Sequence, residues 1–183
     1  MSSDLGKIQI YTGDGKGKTT AGLGLAMRAL GRGMRVRIIY FDKGGDNYGE
    51  RKILDELKNK FSVSYEVTGL DRIDSVTKVF RFGVNNEDRQ EAIRGLELVK
   101  KIFIDNDCDL LILDELNSTL GLKMLEVKEV LEVLDLKPEN MEVVMTGRNC
   151  PDEVLERADL VTEMKMIKHY FEKGVKARKG IEF

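Results

Sequence analysis

Apolar residues along this chain fall into short, nearly continuous runs separated by segments with helical spacing. Val36, Ile38, Ile39, Tyr40 and Phe41 form one such run, and Leu110, Leu111, Ile112 and Leu113 another; both read as strands buried on two faces. Strands are expected at 7–11, 35–41, 61–67, 109–113, 141–146 and 160–166. Between them lie helices at 19–31, carrying Leu23, Ala26, Met27 and Leu30 on one side, and at 85–105, carrying Ala92, Leu96, Val99 and Phe103. Further helices are expected at 50–60, 125–134 and 152–158, with Gly31 and Gly33 punctuating the end of the first. The stretch 69–83 has no strong period and reads as loop with local helix. Strand and helix alternate, which predicts an α/β fold: a parallel sheet with helices on both faces. No repeat, low-complexity tract or internal boundary interrupts 1–183, so a single domain is expected.

Composition narrows the setting. The chain has 183 residues, 42% hydrophobic and 34% charged, the make-up of a soluble globular protein. Its formal net charge of −2, with interleaved signs, gives no electrostatic footprint for duplex DNA or an anionic membrane. Neither nucleic acid nor membrane is an expected partner. Cys108 and Cys150 are far apart in sequence and accompanied by one histidine, too few ligands for a structural zinc site; they read as small core residues. Met1–Gly6 lacks the basic and apolar regions of a signal peptide, and no run approaches a membrane span, so a cytoplasmic protein is expected.

Chemistry enters at Thr12–Gly13–Asp14–Gly15–Lys16–Gly17–Lys18–Thr19–Thr20. A strand, a glycine-rich turn and a helix opening on Lys-Thr-Thr is the P-loop arrangement. Successive N–H groups converge on one concavity, the helix N-terminus adds unpaired donors, and the occupant this suits is a nucleoside triphosphate. Gly13 through Thr20 would wrap the phosphates, Lys18 would be the point charge on them and Lys16 a second cation. Thr19 would offer its hydroxyl to Mg²⁺. The first position holds Thr12 where the general pattern asks for glycine.

The apolar run 110–113 ends in Asp114–Glu115, a Walker B form. In a doubly wound sheet that end reaches the edge carrying the phosphate loop, where a carboxylate can hold Mg²⁺. Which of the two acids does so is left open by the residues. The guanine-reading Asn-Lys-x-Asp motif is absent, and no arginine-dense lid is evident, although Arg28, Arg72, Arg81 and Arg148 are candidates for phosphate contact. These features alone describe an ATP-using protein of open chemistry.

Thr12–Gly24 with Arg28, Leu113–Leu116, Thr146–Asn149, Ala158–Glu163 and the tail Lys168–Phe183 resemble the P-loop corrinoid adenosyltransferases. The likeness runs from about Lys7 to Phe183. It implies a RecA-like P-loop fold of about six strands and a homodimer. It also implies transfer of the 5′-deoxyadenosyl group of ATP to cobalt(I) of cobalamin or cobyrinic acid a,c-diamide, with triphosphate as leaving group. ATP would lie reversed relative to most P-loop proteins, presenting ribose C5′ to the metal. By the resemblance, Lys18 and Lys16 neutralise the departing triphosphate, Thr19 and Glu115 hold Mg²⁺, and Arg28 and Arg148 contact the nucleotide. Phe80 and Phe82 would lie against the corrinoid and keep the lower cobalt face free. The alternative for those two is alternate packing in the core. A flavoprotein is the family's expected reductant.

Local departures are Asp42 where the family often has isoleucine, Tyr170 in place of proline or alanine, Arg178 in place of glutamine, and Phe82 in place of tryptophan. His169 reads as a packing or surface histidine rather than a cobalt ligand. Lys173, Lys176, Arg178 and Lys179 are either a solvated face or a cover for phosphates or corrin side chains. The rival readings are an ordinary ATPase or phosphotransferase, and a non-catalytic ATP-gated corrinoid carrier.

Overall fold

In the computed structural model, which describes residues 6–72, 81 and 83–183, the apolar runs become six strands of one sheet. These are β1 (Ile8–Thr12), β2 (Val36–Phe41), β3 (Val63–Thr68), β4 (Leu110–Asp114), β5 (Glu142–Thr146) and β6 (Leu160–Glu163). Their order is β3-β2-β4-β5-β1-β6, and every pairing is parallel. Register is continuous across the middle: Ile39 lies opposite Leu113, and Leu113 opposite Met145.

The helices between the strands are α1 (Lys18–Leu30), α2 (Gly49–Leu57), α3 (Asn86–Asp105), α4 (Leu116–Gly121), α5 (Val127–Leu134) and α6 (Asp152–Leu155), with a 3₁₀ turn at Tyr170–Lys173. Side chains alternate across each strand, so the sheet feeds two cores. Ile39, Phe41, Leu111, Leu113, Val143 and Met145 pack with residues of α3 to α6. Val36, Ile38, Tyr40, Leu110, Ile112 and Val144 pack against α1 and α2. Burial on both faces explains why β2 and β4 lack the apolar–polar alternation of a half-solvated strand. The edge strands differ: β3 alternates, and every residue of β6 is exposed.

Local signals set the helix ends. Asn85 accepts a hydrogen bond from the Asp88 N–H at 2.8 Å, and the Asp88 carboxylate accepts one from the Asn85 N–H at 2.9 Å, closing a capping box at the start of α3. Asn106 stops that helix in the left-handed region. Gly31 caps α1 in a right-handed conformation, and the positive φ falls at Gly33.

Four expectations shift. The helix expected at 50–60 ends at Leu57, the strand expected from residue 61 begins at Val63, the last strand ends at Glu163, and the 152–158 helix is a single turn to Leu155. Helix α4 was not expected from the sequence, since Asn117, Ser118 and Thr119 are weak helix formers; it forms because Leu116, Asn117, Thr119 and Leu120 are buried together and tertiary packing overrides weak local propensity. Most of 69–83 lies outside the described residues. Cys108 is buried and Cys150 half-buried, both are free, and burial pushes each thiol up to about 12. Among the described residues no helix is long and apolar enough to cross a membrane.

Leu111 is fully buried at the centre of the sheet. Leu111→Ala is expected to destabilise the fold by about 2–5 kcal/mol, read as a lower midpoint of urea denaturation at unchanged slope.

Candidate active site

All strands point the same way, so the loops following β1, β2, β4 and β5 open on one edge of the sheet, where α/β proteins bind ligands. A cleft of about 790 Å³ lies there, lined by Gly15–Thr20, Asp42, Lys43, Tyr48, Glu115, Ser118, Arg148, His169 and the tail at Gly180–Phe183. A second cavity of about 420 Å³ adjoins it, sharing Asp42, Lys43, Tyr48, Glu115, Glu182 and Phe183 and adding Leu70 and Arg72.

The glycine loop is pressed against the end of β6. The Gly15 N–H donates to the Met164 carbonyl at 2.7 Å. Gly13 has φ +92°, and a Cβ there would stand 2.6 Å from the same carbonyl oxygen, so only glycine fits this close approach. Gly17, at φ +121°, caps α1 without a side-chain hydrogen bond, which leaves the first N–H groups of the helix for a ligand. Thr20 donates its hydroxyl to the Gly17 carbonyl at 2.9 Å. Lys18 is buried and curls back to donate to the carbonyls of Gly13 and Gly15, each at 2.6 Å. Burial lowers its pKa, with the Arg148 charge adding to that effect.

At the end of β4 the two acids have different surroundings. Asp114 is 1% exposed and both its oxygens are used: Thr146 Oγ1 donates to one at 2.6 Å and Lys43 Nζ to the other at 2.5 Å. Glu115 stands in the left-handed region, φ +63°, which turns its side chain into the cleft. There Ser118 Oγ donates to its carboxylate. Lys43 Nζ also donates to Thr19 Oγ1 at 2.8 Å and stands 3.5 Å from Glu115 Oε1. Burial alone would lower the Lys43 pKa, but Asp114 and Glu115 outweigh it and the net shift is upward.

Thr19, Asp114 and Glu115 thus surround a cation position with hard oxygen donors, and an ammonium stands there. This set fits a divalent ion that takes one or two protein oxygens and completes its shell from phosphates and water, the habit of Mg²⁺. No cluster of three or more His, Cys, Asp or Glu side chains able to cage a metal occurs among the described residues.

A comparison with protein families matches residues 4–183 to the ATP:corrinoid adenosyltransferase family BtuR/CobO/CobP. The chain belongs to that family. Corrinoid adenosyltransferases similar to it include one from Pseudomonas aeruginosa, 37% identical over 182 residues and spanning 97% of this chain and 84% of the relative. Another, from Escherichia coli K12, is 36% identical over 180 residues, spanning 97% and 86%. Among solved structures, the flagellar accessory protein FlaH of Methanocaldococcus jannaschii aligns with a TM-score of 0.59 at 12% identity, over 87% of this chain and 71% of that one; this likeness concerns the fold alone. The chain is therefore an enzyme that transfers an adenosyl group from ATP to a corrinoid.

Around this cleft the sequence-derived residues separate into groups. Gly13–Thr20, Glu115 and Arg148 come together, with Arg148 donating to the Asp14 carbonyl at 3.2 Å. Lys16 belongs to the loop, but its ammonium turns to the tail, donating to the Ile181 carbonyl at 2.7 Å and Glu182 at 2.8 Å. Arg28 is exposed near the far end of α1, about 15 Å along the helix from Lys18 at about 1.5 Å per residue, and does not line the cleft of its own chain. Arg81 is paired with Asp88. Phe80 and Phe82 lie outside the described residues. His169 lines the cleft and its Nδ1 accepts from the Phe171 N–H at 3.1 Å.

Two features escaped sequence reasoning. Lys43 followed a strand with no motif to single it out, and Glu182 was one acid in a basic tail. Asp42, the departure from the family's isoleucine, has a local explanation: Arg72 Nε donates to it at 2.8 Å. Burial raises the Asp42 pKa despite that partner.

Glu182 accepts from Lys16, Arg178 and Tyr170 at once, latching the tail to the phosphate loop. Hydrogen bonds from Arg178, Lys16 and Tyr170 hold its carboxyl well below the usual range. A carboxylate depressed in the folded state stabilises fully above its ordinary pKa and loses that contribution progressively as pH falls from there to the lowered value. Hydrogen exchange of residues 178–183 should therefore stay protected, relative to intrinsic rates, from pH 7 to about pH 4, where free glutamates are near half-protonated. Glu182→Gln should lose that protection already at pH 7.

Proposed function

We propose that this chain performs the transfer as one domain, with the Gly13–Thr20 loop holding the triphosphate of ATP as the group that departs. The observation that carries this reading is the open N-terminus of α1 facing a cleft that also holds Lys18, Glu115 and Arg148. Cobalt(I) of the corrinoid gives an electron pair to ribose C5′ and becomes cobalt(III). The C5′–O bond breaks, and triphosphate carries the bonding pair away. No general base is needed, since the nucleophile carries no proton.

The chain's residues serve the leaving group. Loop N–H groups and the α1 dipole meet developing negative charge where it forms, which is the usual source of electrostatic catalysis. Lys18 exchanges its two loop carbonyls for phosphate oxygens; Lys16, released from Glu182, adds a second cation. Arg148 reaches the same phosphates from the β5 side. Thr19 and Glu115 would hold Mg²⁺, which supplies further charge neutralisation on the triphosphate. The adjoining cavity beside Tyr48 and Leu70 gives the acceptor a place next to the nucleotide, and Phe80 and Phe82 cover the corrinoid as the family resemblance implies.

A homodimer is also part of this reading. Edge strand β6 and the tail expose Leu160, Val161, Met166, Ile167 and Phe171, an apolar surface that a second copy would cover. A cytoplasmic setting and a flavoprotein reductant complete the proposal on the strength of the family resemblance.

The test mixes the protein with Mg-ATP and chemically reduced cobalamin. A light-sensitive adenosylated product with stoichiometric inorganic triphosphate is expected; release of ADP, or no photolabile product, would sink the reading. Lys18→Ala should lower kcat by about 10²–10³-fold, the cost of losing one oxyanion-stabilising group. Phe82→Ala should slow transfer more from cobalt(II) with a reducing system than from preformed cobalt(I). Equal loss in both assays would assign Phe82 to packing.

A further inference from the structure

Lys43 has no role in the scheme above, yet its ammonium holds the most constrained position in the cleft. Three oxygens from separate elements surround it: Thr19 Oγ1 from α1 at 2.8 Å, Asp114 Oδ2 from β4 at 2.5 Å, and Glu115 Oε1 at 3.5 Å. Its side chain is 13% exposed. The backbone that delivers it is fixed on both sides. Asp42 adopts φ +50° and is anchored by Arg72. The Lys43 carbonyl accepts from Arg51, which also donates to the Gly45 carbonyl at 2.5 Å. The Arg51 guanidinium itself lies over the rings of Tyr40 and Tyr48, at 5.0 and 4.6 Å. The ammonium is thus held at the oxygen-lined position assigned to Mg²⁺.

We propose that Lys43 is a positioning residue, a resident cation that occupies the divalent-metal position until nucleotide arrives. It keeps two neighbouring carboxylates and the Thr19 hydroxyl together without mutual repulsion. It also makes metal entry conditional on triphosphate. A divalent ion arriving alone must displace a buried ammonium from Asp114 and finds few ligands beyond the three oxygens. Triphosphate offers the ammonium a new anionic partner and the metal its remaining ligands. This inference rests on the assignment of Thr19 and Glu115 as metal ligands.

Mn²⁺ binding without nucleotide, followed by electron paramagnetic resonance, tests it apart from turnover. Lys43→Met should bind Mn²⁺ roughly tenfold or more tightly than the unaltered protein, the scale of removing one close like charge from a partly buried site. Lys43→Arg, which keeps the charge, should stay near the unaltered protein. Unchanged or weaker Mn²⁺ binding by folded Lys43→Met would overturn the proposal and leave the ligand assignment standing. Adding Thr19→Val to Lys43→Met should abolish the gain; a gain that persists would overturn the ligand assignment and the proposal with it. Should Lys43→Met fail to fold, the ¹⁵N resonance of the Lys43 ammonium in the unaltered protein decides. It should keep its protection from exchange with Mg²⁺ alone and lose it when Mg²⁺ and inorganic triphosphate bind together. A resonance unchanged with both bound would refute the displacement.

Discussion

Burial of the sheet on both faces is the constraint from which the rest of this structure follows. Strands as apolar as β2, β4 and β5 must be covered above and below, which requires a helix between successive strands and leaves them parallel. Parallel strands end on one edge, so the turns that follow them gather side chains distant in sequence. Thr19, Lys43, Glu115 and Arg148 meet there although they come from four separate loops or helix starts. The fully satisfied Asp114, held by Thr146 and Lys43, then ties three of those loops to the core.

Chemically, the cleft gathers cations and open backbone donors. Backbone N–H groups, Lys18 and Arg148 surround the space after β1, and both side chains donate to loop carbonyls. Lys18 rests on two carbonyls, Lys16 on Glu182, and Lys43 on Asp114 and Glu115. Each of these cations therefore has an oxygen partner, and none of them is buried as bare charge. The tail takes part in this arrangement because Glu182 and Phe183 line both cavities.

Much of the fold and the loop was legible in the residues. Continuous apolar runs mark strands covered on both faces, and a glycine turn between a strand and Lys-Thr-Thr has few other uses. Helix α4 was not legible, since Asn117, Ser118, Thr119 and Gly121 are weak helix formers and burial stabilises the turn. The full length of β6 was not legible either, because an exposed edge strand gains little from the apolar pattern that suggested it. Arg28 belongs to the stretch that carried the family resemblance, and within one chain it stands at the end of α1 away from the cleft.

The sequence by itself determined the parallel α/β architecture, the glycine-rich loop between β1 and α1, and the kinship with ATP:corrinoid adenosyltransferases, because these depend on local spacing and on residue types read in order. Only the tertiary structure decided that Glu115 rather than Asp114 faces the cleft, that Lys16 is engaged by the tail, and that Lys43 stands between Thr19 and the acids. Each of these depends on a left-handed backbone turn or a contact between residues far apart in the chain. Such contacts are fixed by how the sheet closes, and neighbouring residues do not encode them.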